Sequence, residues 1–561
     1  MFRRKIASAI LIYTFLFSSL AFGQAPVPKV YEAPKETIDK IKEEGLKNSQ
    51  VMQTISYLTD VIGPRLTSST GMKRANEWTR DQMAKWGMQN AKLEAWGPFG
   101  RGWTLKNFSA QVVEPQMFPV IAFPKAWSPS TKGAVTGEVV HFQAKTEADF
   151  AKYKGSLAGK IVLISNPRQL KANFTPMGQR ITDENLAKMA NEPNPADAPK
   201  QQIPEVALQN FLKGMNFQSK TLGFLLQENA AVVVDNSGGG SGGTIFVSEA
   251  AVAPENLPTD VLGYFSEKYP HPWRRAAESR MLPQMTMATE DYNRLVRMIN
   301  LGIKPQMTVN ISAQYEDADP MSYNTVAEIQ GSDPKLKDEV VMLGAHLDSW
   351  HSSGGATDNA AGSAVVMEAA RIILASGLKP RRTIRVALWS GEEQALYGSR
   401  EYVKKHFGAL NEDQDAFMAD LIGINKNPQG QLVKGAGYEK LSAYYNLDNG
   451  TGKIRGIYAQ GNSAVAPIFK AWLAPFADMG ASTITLSNTS GTDHLSFDRI
   501  GLPGFQFIQD PIEYDSRTHH TNQDNYDRIQ ADDMKQAAII MAAFVYQTAM
   551  MDDKLPRKTL K

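Results

Sequence analysis

Five short segments between His346 and Asp524 supply enough imidazole and carboxylate groups to hold two divalent metals side by side. In chain order they read His346-Leu347-Asp348, Asp358-Asn359, Gly391-Glu392-Glu393, Asp448-Asn449 and His520-Thr521-Asn522-Gln523-Asp524. Borderline cations such as zinc take nitrogen and oxygen ligands of these kinds, and a paired site activates water for hydrolysis. The set leaves one carboxylate over. A free carboxylate beside activated water is what general-base chemistry requires.

The elements that must position these groups can be read from the same region. Glu339 to Ala345, Thr383 to Trp389, Leu441 to Leu447 and Gly504 to Ile508 are apolar runs of strand length. They alternate with helical patterns at Gly362 to Leu374, Ser399 to His406 and Ala531 to Met550. That alternation predicts an α/β fold with a mostly parallel sheet and helices on both faces. Ligands in such sheets gather beyond the carboxyl ends of the strands. His346 and Asp348 follow the first of these strands, Glu392 and Glu393 the second, Asp448 the third, and His520 lies after the fourth. Each piece alone has a plainer reading: a core histidine, a helix cap at Asp358, a solvated pair at Glu392-Glu393, a turn at Asp448-Asn449-Gly450. None of these accounts for acids at the ends of successive buried strands. Together they make a site.

Upstream, Glu36 to Ile62 and Gly71 to Trp86 are spaced as core-facing helices, and Phe108 to Val113 as a strand. From about Ala122 short strand signals alternate with polar loops: Gly137 to Val140, Lys160 to Ile164 and Ala230 to Val234, with a long polar loop at Asn185 to Pro204. This divides the chain into 24–121, an inserted mixed α/β domain at 122–305, and 306–561 with the metal groups. The run Asn236 to Gly243 lacks the lysine and hydroxyl of a nucleotide loop and reads as a flexible surface loop.

Over 561 residues, 42% hydrophobic and 21% charged residues exclude disordered and fibrous classes. The formal charge is +2, and Arg3, Arg4 and Lys5 supply three of the positive charges, so without them it is −1. That balance excludes a nucleic-acid partner built on a basic face. Those three residues precede an apolar run from Ala7 to Phe22, with Ala21 and Gly23 at a small-residue cleavage pattern. The run is shorter than the roughly 20 residues of a membrane span. It reads as a secretory signal over 1–23, giving a secreted or periplasmic protein with no stable span after cleavage. There is no cysteine, hence no disulfide.

These motifs resemble metallopeptidase family 28 of clan MH, zinc exopeptidases with a co-catalytic metal pair. The matching elements are His346-x-Asp348, Asp358-Asn359 with Ala360-Ala361-Gly362, Gly391-Glu392-Glu393, Asp448 and His520-Thr521-x-x-Asp524. Gly63-Pro64-Arg65-Leu66-Thr67 is a supporting match, and the insert is similar to a protease-associated domain. The similarity covers about 35–120 and 305–550 and leans toward carboxypeptidase Q-like and aminopeptidase-like members. It implies two Zn2+ per chain, one on His346, Asp358 and Asp448, the other on Asp358, Glu393 and His520. Asp358 is then the bridge and Glu392 the general base, while Asp348 and Asp524 orient the ligand histidines. Spacing to Asp524 selects His520 as the ligand; counting from Arg517 selects His519. Asp493-His494, Tyr514 and Arg517 are candidate substrate contacts.

The resulting expectation is an exported two-zinc exopeptidase acting on terminal bonds of peptides or on dipeptides. Two rivals share the architecture: a non-catalytic binding ectodomain, which would lose ligands, and a one-zinc glutaminyl cyclotransferase.

Overall fold

The computed structural model describes residues 29–197, 203–411, 414–421, 430–449 and 451–558. The signal segment 1–23 lies outside them. Two eight-stranded sheets organise the chain. The first runs Gln89–Trp96, Ser322–Ile329, Thr383–Trp389, Val340–His346, Leu441–Asn446, Gly504–Gln509, Ile454–Tyr458, Thr483–Thr485 across its width. Its four central strands are mutually parallel, and antiparallel pairs flank them on both sides.

Every residue of Val340–His346 and of Leu441–Asn446 is buried, as expected of parallel strands covered on both faces. On one face lie the helices Lys35–Lys47, Ala361–Ala375 and Ala531–Met550, and they share one apolar core with the sheet. On the other, Tyr402, Val403 and Phe407 of and beside the helix Tyr397–His406 pack with Phe497, Trp389 and Tyr444. Small residues set how close the helix Ala361–Ala375 can come. A Cβ on Gly362 would stand 2.5 Å from the carbonyl oxygen of Leu447. Gly344, inside the central strand, has the Tyr444 hydroxyl 2.7 Å from its would-be Cβ.

The second sheet runs Phe118–Pro119, Gly102–Glu114, Gln306–Glu316, Val135–His141, Ile161–Leu163, Val232–Asn236, Gln284–Met287, Ala122–Pro124. It takes in most of the inserted stretch and also the long strands that flank it, Gly102–Glu114 and Gln306–Glu316. An aromatic cluster of Trp96, Phe99, Trp103, Trp127, Trp273 and Trp350 lies where the two sheets meet.

Two local expectations change. The single helix read over Glu36–Ile62 is broken after Lys47, and helix resumes at Val51–Ser56 with a wider turn at Tyr57–Ile62. Ser49 Oγ accepts the Val51 N–H, and the Gln50 N–H donates to Glu368, so side chains take over donors that a continuous helix would use. The polar loop read over Asn185–Pro204 begins inside a helix, Asp183–Ala190, which Thr182 caps through the Asn185 N–H. A long helix, Glu205–Gln227, follows. Among the described residues no helix is long and apolar enough to cross a membrane.

The closing helix is the keystone of the larger core. Phe544 is fully buried and meets Tyr445, Phe469, Trp472 and Phe507 at ring-centroid distances of 5.4 to 6.0 Å. Phe544→Ala is expected to cost about 3–5 kcal/mol of stability, as large-to-small changes of buried aromatics do. Chemical denaturation checks this, and a loss below about 1 kcal/mol would show that the core can collapse around the deletion.

Candidate metal centre

The carboxyl ends of the central strands converge on one cluster. His346 Nε2 lies 3.2 Å from Asp358 Oδ1 and 3.4 Å from Asp448 Oδ1. His520 Nε2 lies 3.2 Å from Asp358 Oδ2 and 2.9 Å from Glu393 Oε2. Asp358 therefore presents one oxygen to each imidazole. His519 Nε2 stands farther away, 4.0 Å from Asp358 Oδ2. Two triads have ligand atoms close enough to share an ion: His346, Asp358, Glu393 and Asp358, His519, His520.

The donor set fits a divalent cation. His346 Nε2, Asp358 Oδ2 and Glu393 Oε1 are buried and make no hydrogen bond. Buried polar atoms need a partner, and three of them converging in one place match the demand of a metal. His346 Nδ1 donates to the Asp348 carbonyl at 3.0 Å, which leaves Nε2 turned to the carboxylates.

Burial and crowding set the electrostatics. Burial alone would lower both imidazoles, but the neighbouring acids outweigh it. His346 is raised well above its ordinary value by Asp448 and Glu392, and His520 is pushed up to about 11 by Glu393 and Asp358. Burial raises Glu393 to about 7. Glu392 is raised well above the carboxylate range by burial and by repulsion from Asp448, Asp493 and Glu393. Asp358 goes the other way despite burial, because the imidazoles of His346 and His520 each stand 3.2 Å from one of its oxygens.

Asp348 and Asp524 are buried beside the cluster but use their carboxylates differently from the sequence expectation. The Asp348 carboxylate accepts from the backbone N–H groups of Glu392 and Glu393, each at 3.3 Å, and from the Thr67 hydroxyl at 3.0 Å. Its distance to His346 Nδ1 is 3.7 Å, so the histidine is oriented by the Asp348 backbone carbonyl. Asp524 accepts from the N–H groups of Thr357 at 2.6 Å and Asp358 at 3.1 Å. Both acids fix the loops that carry other acids.

Arg65 explains the N-terminal motif. Its buried guanidinium donates to the carbonyls of Leu347, Gly354 and Gly355 at 2.7 to 2.8 Å, and more weakly to Leu58 and Gly63. It thereby ties the loop after His346 to the loop before Asp358. Asn359 adds a second tie, donating to the Leu447 carbonyl at 3.0 Å and accepting the Gly362 N–H.

The insert reaches the centre directly, which sequence reading missed. The Val247 N–H donates to the His520 carbonyl at 3.0 Å, and the Asn522 N–H to the Ile245 carbonyl at 3.1 Å. Asn522 Oδ1 accepts the Ile245 N–H at 2.7 Å, and its Nδ2 donates to Gly243. The glycine run read as a flexible surface loop is thus pinned at its end to the His520 loop. Arg168 holds its middle through the carbonyls of Gly239 and Gly240.

Asp358, Glu392, Glu393, Asp448, His519 and His520 open onto a cavity of about 720 Å³ walled by both halves of the chain. Of the four candidate substrate contacts, Tyr514 lines this cavity. Asp493 and His494 are fully buried, with His494 turned to Gln460 and Thr489, while Arg517 is occupied with Glu513 and Met177.

Residues 324–545 match Peptidase family M28. Carboxypeptidase Q of Mus musculus is 29% identical over 277 residues, 49% of this chain and 52% of that protein. The match thus spans about half the length of that relative. Carboxypeptidase Q of Bos taurus is 25% identical over 551 residues, 96% of this chain and 95% of that one. The crystal structure of a peptidase M28 precursor from Shewanella amazonensis SB2B has the same fold, with a TM-score of 0.58 at 22% identity. It covers 93% of this chain and 98% of that one. With the central strands ending in the acids and imidazoles described above, the stretch 324–545 is similar to peptidase family M28.

Proposed function

We propose that this protein is an exported zinc exopeptidase that hydrolyses terminal bonds of peptides or splits dipeptides. One observation carries the reading: Asp358 divides its two oxygens between His346 and His520, while Glu392 stands in the same cavity among neither set of contacts. In this reading His346, Asp358 and Asp448 hold one metal, and Asp358, Glu393 and His520 the other. Zinc held there would supply Lewis acidity to a water and to the scissile carbonyl. Glu392 takes the proton from the water and returns it to the leaving amine. Its buried, acid-crowded setting raises its affinity for a proton, which makes the ionised carboxylate a stronger base toward that water. Asp348 positions Glu392 and Glu393 through their backbone N–H groups.

Metal and proton compete for the same imidazole lone pairs and carboxylate oxygens. Metal uptake is therefore accompanied by proton release. The relatives named carboxypeptidase Q support the exopeptidase class, and the apolar, small-residue pattern of 1–23 supports export. The deciding experiment is a screen of amino-terminal, carboxy-terminal and dipeptide substrates on purified protein with added zinc. Turnover with near two zinc ions per chain supports the reading. Near one ion per chain, with cyclisation of N-terminal glutamine, would replace it.

Glu392→Gln should keep both metals and lose activity by about 10²- to 10⁴-fold, the usual worth of a general base. Retained turnover in a fully loaded variant would remove Glu392 from that role.

Of the doubled histidines, His520 is the nearer to Asp358 and the one against Glu393. His520→Ala should lower metal content and abolish activity, since His520 lies against Asp358 and Glu393. His519→Ala should leave metal content intact. Metal analysis of the two variants decides the matter, and the reverse pattern would make His519 the ligand.

A further inference from the structure

An arm of the insert, residues 177–194, lies on the half of the chain that carries the metal groups. Its helix Asp183–Ala190 buries Leu186 and packs on the strand Thr483–Thr485. Beyond the helix, Glu192 accepts the Thr485 hydroxyl at 3.0 Å, and Asn194 donates to the Gly461 carbonyl at 2.9 Å. Ahead of the helix, the arm meets the loop that runs from the strand Gly504–Gln509 to His520. Gln179 and Ile512 exchange backbone hydrogen bonds at 2.8 and 2.9 Å, and the Ser516 hydroxyl donates to the Met177 carbonyl at 2.9 Å.

Arg180 stands among these contacts. Its guanidinium lies 2.8 Å from Asp510 and 2.8 Å from Asp533. Asp510 opens the loop to His520, and Asp533 belongs to the closing helix Ala531–Met550. Both carboxylates are buried, so neither has water to fall back on, whereas Arg180 is half exposed. Asp510 also receives Arg455 at 3.0 Å and the Ile181 N–H at 2.9 Å. Among the described residues, Arg180 is the one cation within ion-pair distance of Asp533. Buried acids brought to one place repel unless a charge stands between them. The loop they start is also held against its own preference. Ile512 has a φ of 49°, a crowded conformation for a β-branched residue that persists only where the surroundings impose it. The same loop carries Tyr514, His519 and His520 to the cavity.

We infer that Arg180 is a positioning residue for the metal held by His520: by clamping Asp510 to Asp533 it fixes the root of the His520 loop from outside the cavity. The inference rests on the two-metal reading above and adds a residue of the insert to it. His346 ends one strand and Asp448 follows another, and neither shares this loop. Loss of Arg180 therefore weakens one metal and spares the other. It leaves Asp510 to Arg455 alone, leaves Asp533 without its cation, and frees Ile512 to abandon its left-handed backbone.

The test is stepwise zinc binding to the full chain, measured by competition with a chromophoric chelator. Arg180→Ala should weaken one of the two binding constants by about tenfold or more, the usual cost of losing a group that orients a metal ligand. The other constant should change by less than about twofold. In the His520→Ala background, where that site is already lost, Arg180→Ala should add less than about twofold. In the Asp448→Asn background it should again cost about tenfold. Arg180→Lys keeps the charge but not the fork that reaches two acids, and should fall between wild type and Arg180→Ala. Asn194→Ala, on the same arm but away from the loop, should leave both constants unchanged. Unchanged constants in folded Arg180→Ala, or a loss that persists in the His520→Ala background, would overturn the positioning role. If Arg180→Ala does not fold, Arg180→Lys carries the same comparison. A wild type that binds fewer than two ions would instead remove the two-metal reading, and the role of Arg180 with it.

Discussion

The rest of the structure depends on how a crowd of buried carboxylates is kept from repelling itself apart. Asp348, Asp358, Asp448, Glu392 and Asp524 are buried, and so is the side chain of Glu393. A buried carboxylate needs donors, a counter-charge or a proton. The fold distributes these unequally. Asp348 and Asp524 receive backbone N–H groups and, for Asp348, a threonine hydroxyl. Asp358, Glu393 and Asp448 instead face imidazoles. That division separates the acids that build loops from the acids that face imidazoles. Among the described residues no histidine stands within ion-pair distance of Glu392, and burial raises its affinity for a proton against the weaker pull of His346.

Arg65 shows the same economy from the cationic side. Its charge feels Asp524, Asp348, Asp358 and Glu393, yet all its hydrogen bonds go to backbone carbonyls. A guanidinium spent on carbonyls shapes two loops at once and leaves the carboxylate oxygens free. Burial lowers its pKa to about 10, which still keeps it charged over the physiological range. A lysine could not reproduce this fan of donors from one compact ammonium.

The strand ends were legible in the sequence because buried parallel strands are apolar throughout, so a histidine or acid just past one stands out. His346, Glu393 and Asp448 are found that way, and Asp358 by its place before a helix of small residues. The family pattern then singled out His520, and the structure places it nearer Asp358 and Glu393 than its neighbour His519. What escaped were interactions without periodicity. Asn522 to Ile245, Val247 to His520 and Arg65 to Gly354 join segments far apart in the chain through loop backbone, and no pattern of side chains announces them. Asp524 was found but misread: its place after His520 suggests a histidine partner, whereas the fold turns it to the N–H groups of Thr357 and Asp358. The helix Glu205–Gln227 was missed because its low-contrast mixture of Leu, Phe, Gln and Asn has no clean polar face, and its inward face looks into a cavity.

The insert is tied to the metal centre at two independent points. Its backbone at Ile245 and Val247 holds the loop of His520, and its Leu262 packs with Leu396 beside the paired glutamates. His520 adopts a positive φ of 56°, a conformation that a non-glycine residue keeps only when its surroundings impose it. The hydrogen bond from Val247 to the His520 carbonyl and the pairing of Asn522 with Ile245 are those surroundings. Ala395 and Leu396, at φ 95° and 59°, are held in the same region of backbone space beside Leu262 and Phe265. Both loops therefore borrow their shape from the insert. The candidate metal centre thus draws His346 and Asp448 from the ends of sheet strands and His520 from a loop hydrogen-bonded to the insert.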